Sequence, residues 1–314
     1  MESKSDVGVK TLQDTRQAEK GALEVRPSRA GSDWIAWLGL LPFFLFAVMF
    51  LFLPSLSIFV RSFQDRGGNF TFENIIALFT VKDIINAYRM SLTISLITAV
   101  GGGIFGFLLA YAVIMGGLPR VLRSFLLTFS GVASNFAGVP LAFAFVATMG
   151  NAGLVTRLIE QIFNINTREM GFSIYNIYGL SIVYMYFQFP LMVLIMAPAL
   201  DGLRREWREA CENLGGTEIH YWRYIALPIL LPTILGAMIL LFGNAFGAYA
   251  TAYAFSGSFI NLVTILIGAQ IQGDVLYNPG LGNALALGMI VIMSLTMVGY
   301  VSLQRRASRW LRGG

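Results

Sequence analysis

Residue types able to do covalent chemistry are scarce in this chain, and they are not grouped. One cysteine, Cys211, and one histidine, His220, exclude an internal disulfide framework, a cysteine-built zinc site and a multi-histidine metal centre. No Gly-x-x-x-x-Gly-Lys-Ser/Thr motif occurs, so the chain has no P-loop of its own to cradle a nucleotide. The most informative charged stretch reads Glu209-Ala210-Cys211-Glu212-Asn213-Leu214-Gly215, then nine residues, then Ile225-Ala226-Leu227-Pro228. Its chemistry is recognition rather than catalysis. Trp207, Ala210, Cys211 and Leu214 fall at i, i+3, i+4 and i+7, one apolar helix face, while Arg208, Glu209 and Glu212 lie off it. Gly215-Gly216 stops that helix. Thr217 caps a second short helix carrying Ile219, Trp222 and Arg223. Pro228 suits the first turn of the next segment, where its missing N–H costs nothing. The spacing predicts two short helices bent at a double glycine and joined stiffly to a long apolar one. Such a knob can dock in a cleft and transmit a push.

The elements that hold this knob are long and apolar. The chain of 314 residues is 56% hydrophobic and 12% charged, against about 25% charged in a soluble domain. Residues 34–60, 90–119, 124–156, 170–200, 224–273 and 275–304 contain no Asp, Glu, Lys or Arg. A membrane-crossing helix needs about 20 apolar residues, and runs this long without alternation exclude a barrel. The expected fold is all-α and transmembrane: a six-helix polytopic bundle with spans at 34–60, 90–115, 125–149, 177–199, 225–252 and 284–304. Residues 1–32 read as a flexible tail, 33–89 as the first span with its external loop, 90–304 as the core and 305–314 as a basic terminus. Of the 22 Lys and Arg, all but Arg61, Arg66, Lys82, Arg89, Arg157 and Arg168 fall on one side of these spans. The positive-inside rule then puts both termini, and the Glu209 loop, in the cytoplasm. A seventh span within 260–271 would carry the C-terminal arginines outside, and Ser256-Gly257-Ser258 breaks that run. An external or re-entrant segment is expected there.

The Glu209–Pro228 stretch resembles the EAA loop of binding-protein-dependent ABC importer permeases: E-A-A, three residues, G, nine residues, I-x-L-P. Cys211 replaces the second alanine of that pattern and is also small and apolar. An ordinary amphipathic helix on lipid headgroups does not account for the full register. The resemblance spans roughly residues 90–304, with 34–60 as an added first helix. Glu212-Asn213-Leu214-Gly215-Gly216 and Tyr221-Trp222-Arg223-Tyr224 look like the branch that imports polyamines, ferric iron, sulfate and phosphonates. The resemblance implies the type I importer permease fold in a bacterial inner membrane, and no enzymatic activity. It implies that Glu209, Ala210, Cys211, Gly215, Ile225, Leu227 and Pro228 couple the chain to an ATPase. It also implies its companions: two ATPase subunits holding ATP and Mg, a second permease, alike or related, and an extracytoplasmic solute-binding protein. No cofactor and no nucleic acid is expected on this chain.

Polar groups inside spans face a partner helix or a water-filled path. Asn135, Gln188 and Asn244, with Phe246, Tyr249 and Tyr253, are candidates for the translocation path; interhelical hydrogen bonding is the competing reading. Gly102-x-x-x-Gly106 with Ala110 is a small-residue stripe for close helix approach, within the chain or between subunits. Arg305, Arg306, Arg309 and Arg312 anchor the last helix to anionic lipid. A self-sufficient secondary transporter or channel is the alternative, and predicts intramembrane ionisable residues or an internal repeat, neither of which is seen. The topology is directly checkable. Trypsin should cut after Arg223 in inside-out vesicles and leave it intact in right-side-out ones; the reverse pattern would overturn the orientation.

Overall fold

The computed structural model describes residues 33–163, 174–257, 259–272 and 276–312. Side chains of 33–38, 303–304 and 306–312 are outside this description, as are the expected tail 1–32, Arg168 and Ser258. The chain divides into two units, Met1–Leu56 and Ser57–Gly314. In the first, α1 (Asp33–Ala47) continues through a π turn (Val48–Phe52). Its side chains from Leu40 to Phe46 are all exposed.

From there the described residues form α2 (Leu53–Ser62), α3 (Glu73–Thr80), α4 (Lys82–Met115), α5 (Arg120–Asn135), α6 (Gly138–Met149), α7 (Leu154–Phe163), α8 (Ile177–Asp201), α9 (Arg205–Asn213), α10 (Glu218–Tyr221), a π turn (Trp222–Ala226), α11 (Leu227–Phe246), α12 (Tyr249–Ser256), α13 (Val263–Gln272) and α14 (Pro279–Arg312). Six stretches are long and apolar enough to cross a membrane: Gly39–Ser62, Lys82–Met115, Gly138–Phe163, Ile177–Asp201, Glu218–Phe246 and Pro279–Ser302. The count agrees with the sequence; some boundaries do not. Helices α4 and α14 start earlier, at Lys82 and Pro279; at α14 the Leu281 N–H donates to Asn278 Oδ1 at 3.3 Å, a helix cap.

The third and fifth spans need correction. Residues 125–149 are two helices, broken at Phe136-Ala137. Gly138 takes φ +73°, and Pro140 has no N–H to offer the Phe136 carbonyl. The stretch Gly138–Phe163 is itself interrupted by a turn in which the Gly153 N–H meets the Gly150 carbonyl at 2.8 Å. The crossing is therefore α5 plus α6. At one end Arg123 pairs with Asp201 at the end of α8. At the other, Gly150 lies beside Tyr175, just ahead of Ile177. The fifth span does not reach residue 252: α11 stops at Phe246, capped by Gly247, and α12 begins at Tyr249.

Unpaired backbone is costly inside hydrocarbon, and side chains of neighbouring helices partner one backbone group at each break. The Gly138 N–H donates to Thr251 Oγ1 at 2.8 Å, and the Tyr184 hydroxyl donates to the Ala248 carbonyl at 2.8 Å.

The core is built around α4. A Cβ on Gly102 would stand 2.7 Å from Gln188 Cβ, and one on Gly106 2.6 Å from Met192 Cβ. Gly103 meets Met238 of α11 in the same way. The small-residue stripe thus lets α4 pack directly on α8 and α11 of the same chain, around Met192, Met196, Leu230 and Leu241. Overpacking a close site of this kind costs roughly 1–3 kcal/mol. Gly106→Val should lower the thermal unfolding midpoint in detergent by several degrees. Gly131→Ala, where nothing lies within 4 Å, should leave it unchanged.

Candidate coupling loop and path residues

The bend between α9 and α10 is a Schellman motif. Gly215 sits at φ +77°. The Gly216 N–H reaches the Cys211 carbonyl and the Gly215 N–H the Glu212 carbonyl, both at 2.9 Å, the paired bonds that close a helix end. The left-handed residue is the glycine the spacing indicates. Gly216 has its own reason: a Cβ there would stand 2.5 Å from Cys211 Sγ. Cys211 is half-buried under this turn, which is why a small residue stands there.

The second helix is capped differently from the simple expectation. The Thr217 N–H donates to His220 Nδ1 at 3.3 Å, and Thr217 Oγ1 lies 2.7 Å from the same nitrogen. His220 thus takes the part that Glu or Gln plays in a capping box. Beyond it, α10 does not stop. It runs through the π turn into α11, so Glu218–Phe246 is one helical segment of 29 residues. Pro228 stands in the first turn of α11, as the spacing indicates, and the π turn makes the helix continuous through it. The wide turn explains how. The Leu227 N–H bonds the Trp222 carbonyl, five residues back, and a π turn gives the backbone room where proline's ring would crowd the carbonyl four residues earlier. Ile225 and Pro228 are half-buried and Leu227 is exposed, all on this continuous rod.

The face offered outward is apolar with a charged margin. Leu214 is 89% and Ile219 76% exposed, one on each side of the bend. Glu209 and Ala210 are exposed beside them. Among the described residues no ion pair reaches Glu209. Arg208 is engaged instead: its Nη2 lies 2.6 Å from Glu218 Oε2 across the bend and its Nε 3.3 Å from Glu212 Oε1. The i,i+4 pair with Glu212 was legible in the sequence. The pair with Glu218 was not, because only the folded bend brings those residues together.

The path candidates divide into two sets. Gln188 is fully buried between α4, α8 and α11. Its Nε2 donates to Thr98 Oγ1 at 3.2 Å, and its Oε1 has no hydrogen-bond partner among the described residues. Phe246 is also buried and stacks on Phe242. Asn135, Asn244, Tyr249 and Tyr253 are exposed. Tyr249 and Tyr253 stack on each other at 5.5 Å on α12. Asn135 Nδ2 donates back to the Gly131 carbonyl at 2.9 Å. No cluster of His, Cys, Asp and Glu able to hold a metal occurs among the described residues.

Forcing a Cβ residue into the left-handed region costs about 1–2 kcal/mol. Gly215→Val should therefore speed hydrogen exchange of the 214–216 amides by roughly tenfold, measured by mass spectrometry on the peptide spanning the bend. Gly215→Asn should show a smaller effect, since asparagine tolerates that conformation better.

Comparison with known proteins gives this architecture its relatives. Residues 102–312 match the family model described as "Binding-protein-dependent transport system inner membrane component". The spermidine/putrescine transport system permease protein PotB of Haemophilus influenzae is 25% identical over 85% of this chain and 93% of its own length. The sulfate transport system permease protein CysT of Salmonella typhimurium is 23% identical over 74% of this chain and 81% of its own. A chain in the crystal structure of a bacterial ABC transporter involved in the import of the acidic polysaccharide alginate superposes with a TM-score of 0.69. It is 17% identical over 87% of this chain and 96% of that one. The matched region takes in the broken spans, the bend and the continuous rod beyond it: this chain belongs to the inner membrane components of binding-protein-dependent transport systems, and is a multi-pass ABC importer permease.

Proposed function

We propose that the segment Arg205–Leu227 is the lever through which a separate ATPase moves this permease, and that its helices form one half of a solute path. One observation carries the reading. The exposed Leu214–Ile219 knob, with exposed Glu209 beside it, is mounted on a helix that runs without interruption from Glu218 to Phe246. The apolar residues supply contact area for a partner's cleft, and Glu209 supplies a charge for a basic partner. Glu209, Ala210, Cys211 and Gly215 shape the knob; Ile225, Leu227 and Pro228 join it to the span. ATP and Mg belong to two ATPase subunits, and a second permease completes the pore. An extracytoplasmic binding protein delivers solute, as in the alginate transporter solved in complex with an alginate pentasaccharide-bound periplasmic protein. Nucleotide on one side and loaded binding protein on the other then bias a two-state element.

In this reading Asn135, Asn244, Tyr249 and Tyr253 face the path, and Gln188 and Phe246 stand behind them in its wall. The exposed members are neutral, so selection by charge falls to the binding protein. The proposed solute is a small ion of the kind handled by the branch, a polyamine, ferric iron, sulfate or a phosphonate. A thermal-shift screen of the cognate binding protein against these compounds identifies it.

Purification from native membranes in mild detergent should retain an ATPase with the wild-type chain. Glu209→Lys and Gly215→Asp should each reduce retained ATP hydrolysis at least tenfold while leaving the permease folded. Solute accumulation by the chain alone, without any nucleotide-hydrolysing subunit, would overturn the reading.

A further inference from the structure

The knob has a second mechanical connection that covalent continuity does not supply. Glu218, the first residue of α10, uses both carboxylate oxygens. Oε2 lies 2.6 Å from Arg208 Nη2 on α9. Oε1 accepts from Trp222 Nε1 at 3.1 Å. The indole of Trp222 in turn meets Tyr111 of α4 edge-to-face, with ring centroids 5.2 Å apart and planes at 83°, a favoured aromatic geometry. Trp222 and the neighbouring α4 residues Ile114 and Met115 all pack against the core that α4 shares with α8 and α11. A line of direct contacts therefore runs Arg208–Glu218–Trp222–Tyr111, from the docking helix into a helix that the loop does not continue into.

An exposed ion pair contributes little to stability, so Arg208 is a poor candidate for holding the fold together. Its value is directional. A carboxylate with a donor on each oxygen is oriented by both, and it sets the angle between α9 and the Trp222 ring. Resting on the lever proposed above, we infer that Arg208, Glu218, Trp222 and Tyr111 form a positioning relay that transmits displacement of the knob to α4. The continuous rod carries the same displacement to α11. Helices α4 and α11, which approach closely where Gly103 faces Met238 (a Cβ there would stand 2.9 Å from Met238 Cγ), would then be driven together.

The test uses the permease with its retained ATPase in lipid nanodiscs. Hydrogen exchange of the Lys82–Ser91 end of α4 is compared with and without ATP plus orthovanadate, alongside the rate of ATP hydrolysis. In the wild type, nucleotide should change that exchange several-fold. Arg208→Ala, Trp222→Leu and Tyr111→Leu should each reduce the change at least twofold without removing it, while ATPase retention and hydrolysis persist. Tyr111→Phe, which keeps the ring, should behave as wild type. Trp222→Phe, which keeps an aromatic face but has no N–H for Glu218, should respond like Arg208→Ala, and it carries the test should the leucine variants not fold. Links in series are not additive, so Arg208→Ala combined with Tyr111→Leu should be no worse than either alone. A full nucleotide response in Trp222→Phe, or losses that add in the double variant, would overturn the relay and leave the lever intact. A wild type that retains no ATPase would overturn both.

Discussion

The structure depends on a helix that passes a proline without a break in its course. Pro228 cannot donate to the carbonyl four residues back and its ring crowds that carbonyl, which ordinarily kinks or ends a helix. Here the π turn Trp222–Ala226 widens the coil just before it. Glu218–Phe246 consequently runs as one rod of 29 residues, about 43 Å long at 1.5 Å per residue. In the proposed lever, a push at the Gly215 bend enters a helix that is continuous to Phe246 and holds Pro232 within it.

The rod ends where flexibility is useful. Gly247 closes α11, and the break at Phe136-Ala137 in the third span lies against the start of α12 through the Gly138–Thr251 hydrogen bond. Each break would be costly alone in hydrocarbon. The Gly138–Thr251 bond and the Tyr184 hydroxyl on the Ala248 carbonyl give each break a backbone group with a protein partner. In the proposed lever these breaks are the joints of a two-position element, because packed helices move between discrete arrangements rather than deforming continuously.

Much of this was legible in the residues. Charge-free runs located six spans, since desolvating charge is prohibitive at that depth. Gly215 was legible because only glycine is at ease at φ +77°, and the Gly102–Gly106 stripe because close helix approach leaves no room for a Cβ. What was not legible depended on tertiary context. The continuation through Pro228 rests on a hydrogen-bond shift from four to five residues. The split of 125–149 was marked by Gly138 and Pro140, yet hydropathy reads straight through them. The same hydropathy ran the fifth span on to residue 252, past the Gly247 cap. The Arg208–Glu218 and Trp222–Tyr111 contacts join residues 10 and 111 positions apart in sequence, and no local pattern announces them. Gln188 read as a path residue or, in preference, as an interhelical hydrogen-bonding group; it is buried and donates to Thr98.

The most direct measurement of the central claim is a pair of structures of the assembled transporter, nucleotide-free and trapped with ATP and orthovanadate. Residues 218–246 should superpose as a single rod in both, with the 222–226 turn intact and the 214–219 knob moving together with the span. A hinge opening at Pro228, with the knob displaced and residues 229–246 left in place, would contradict the account.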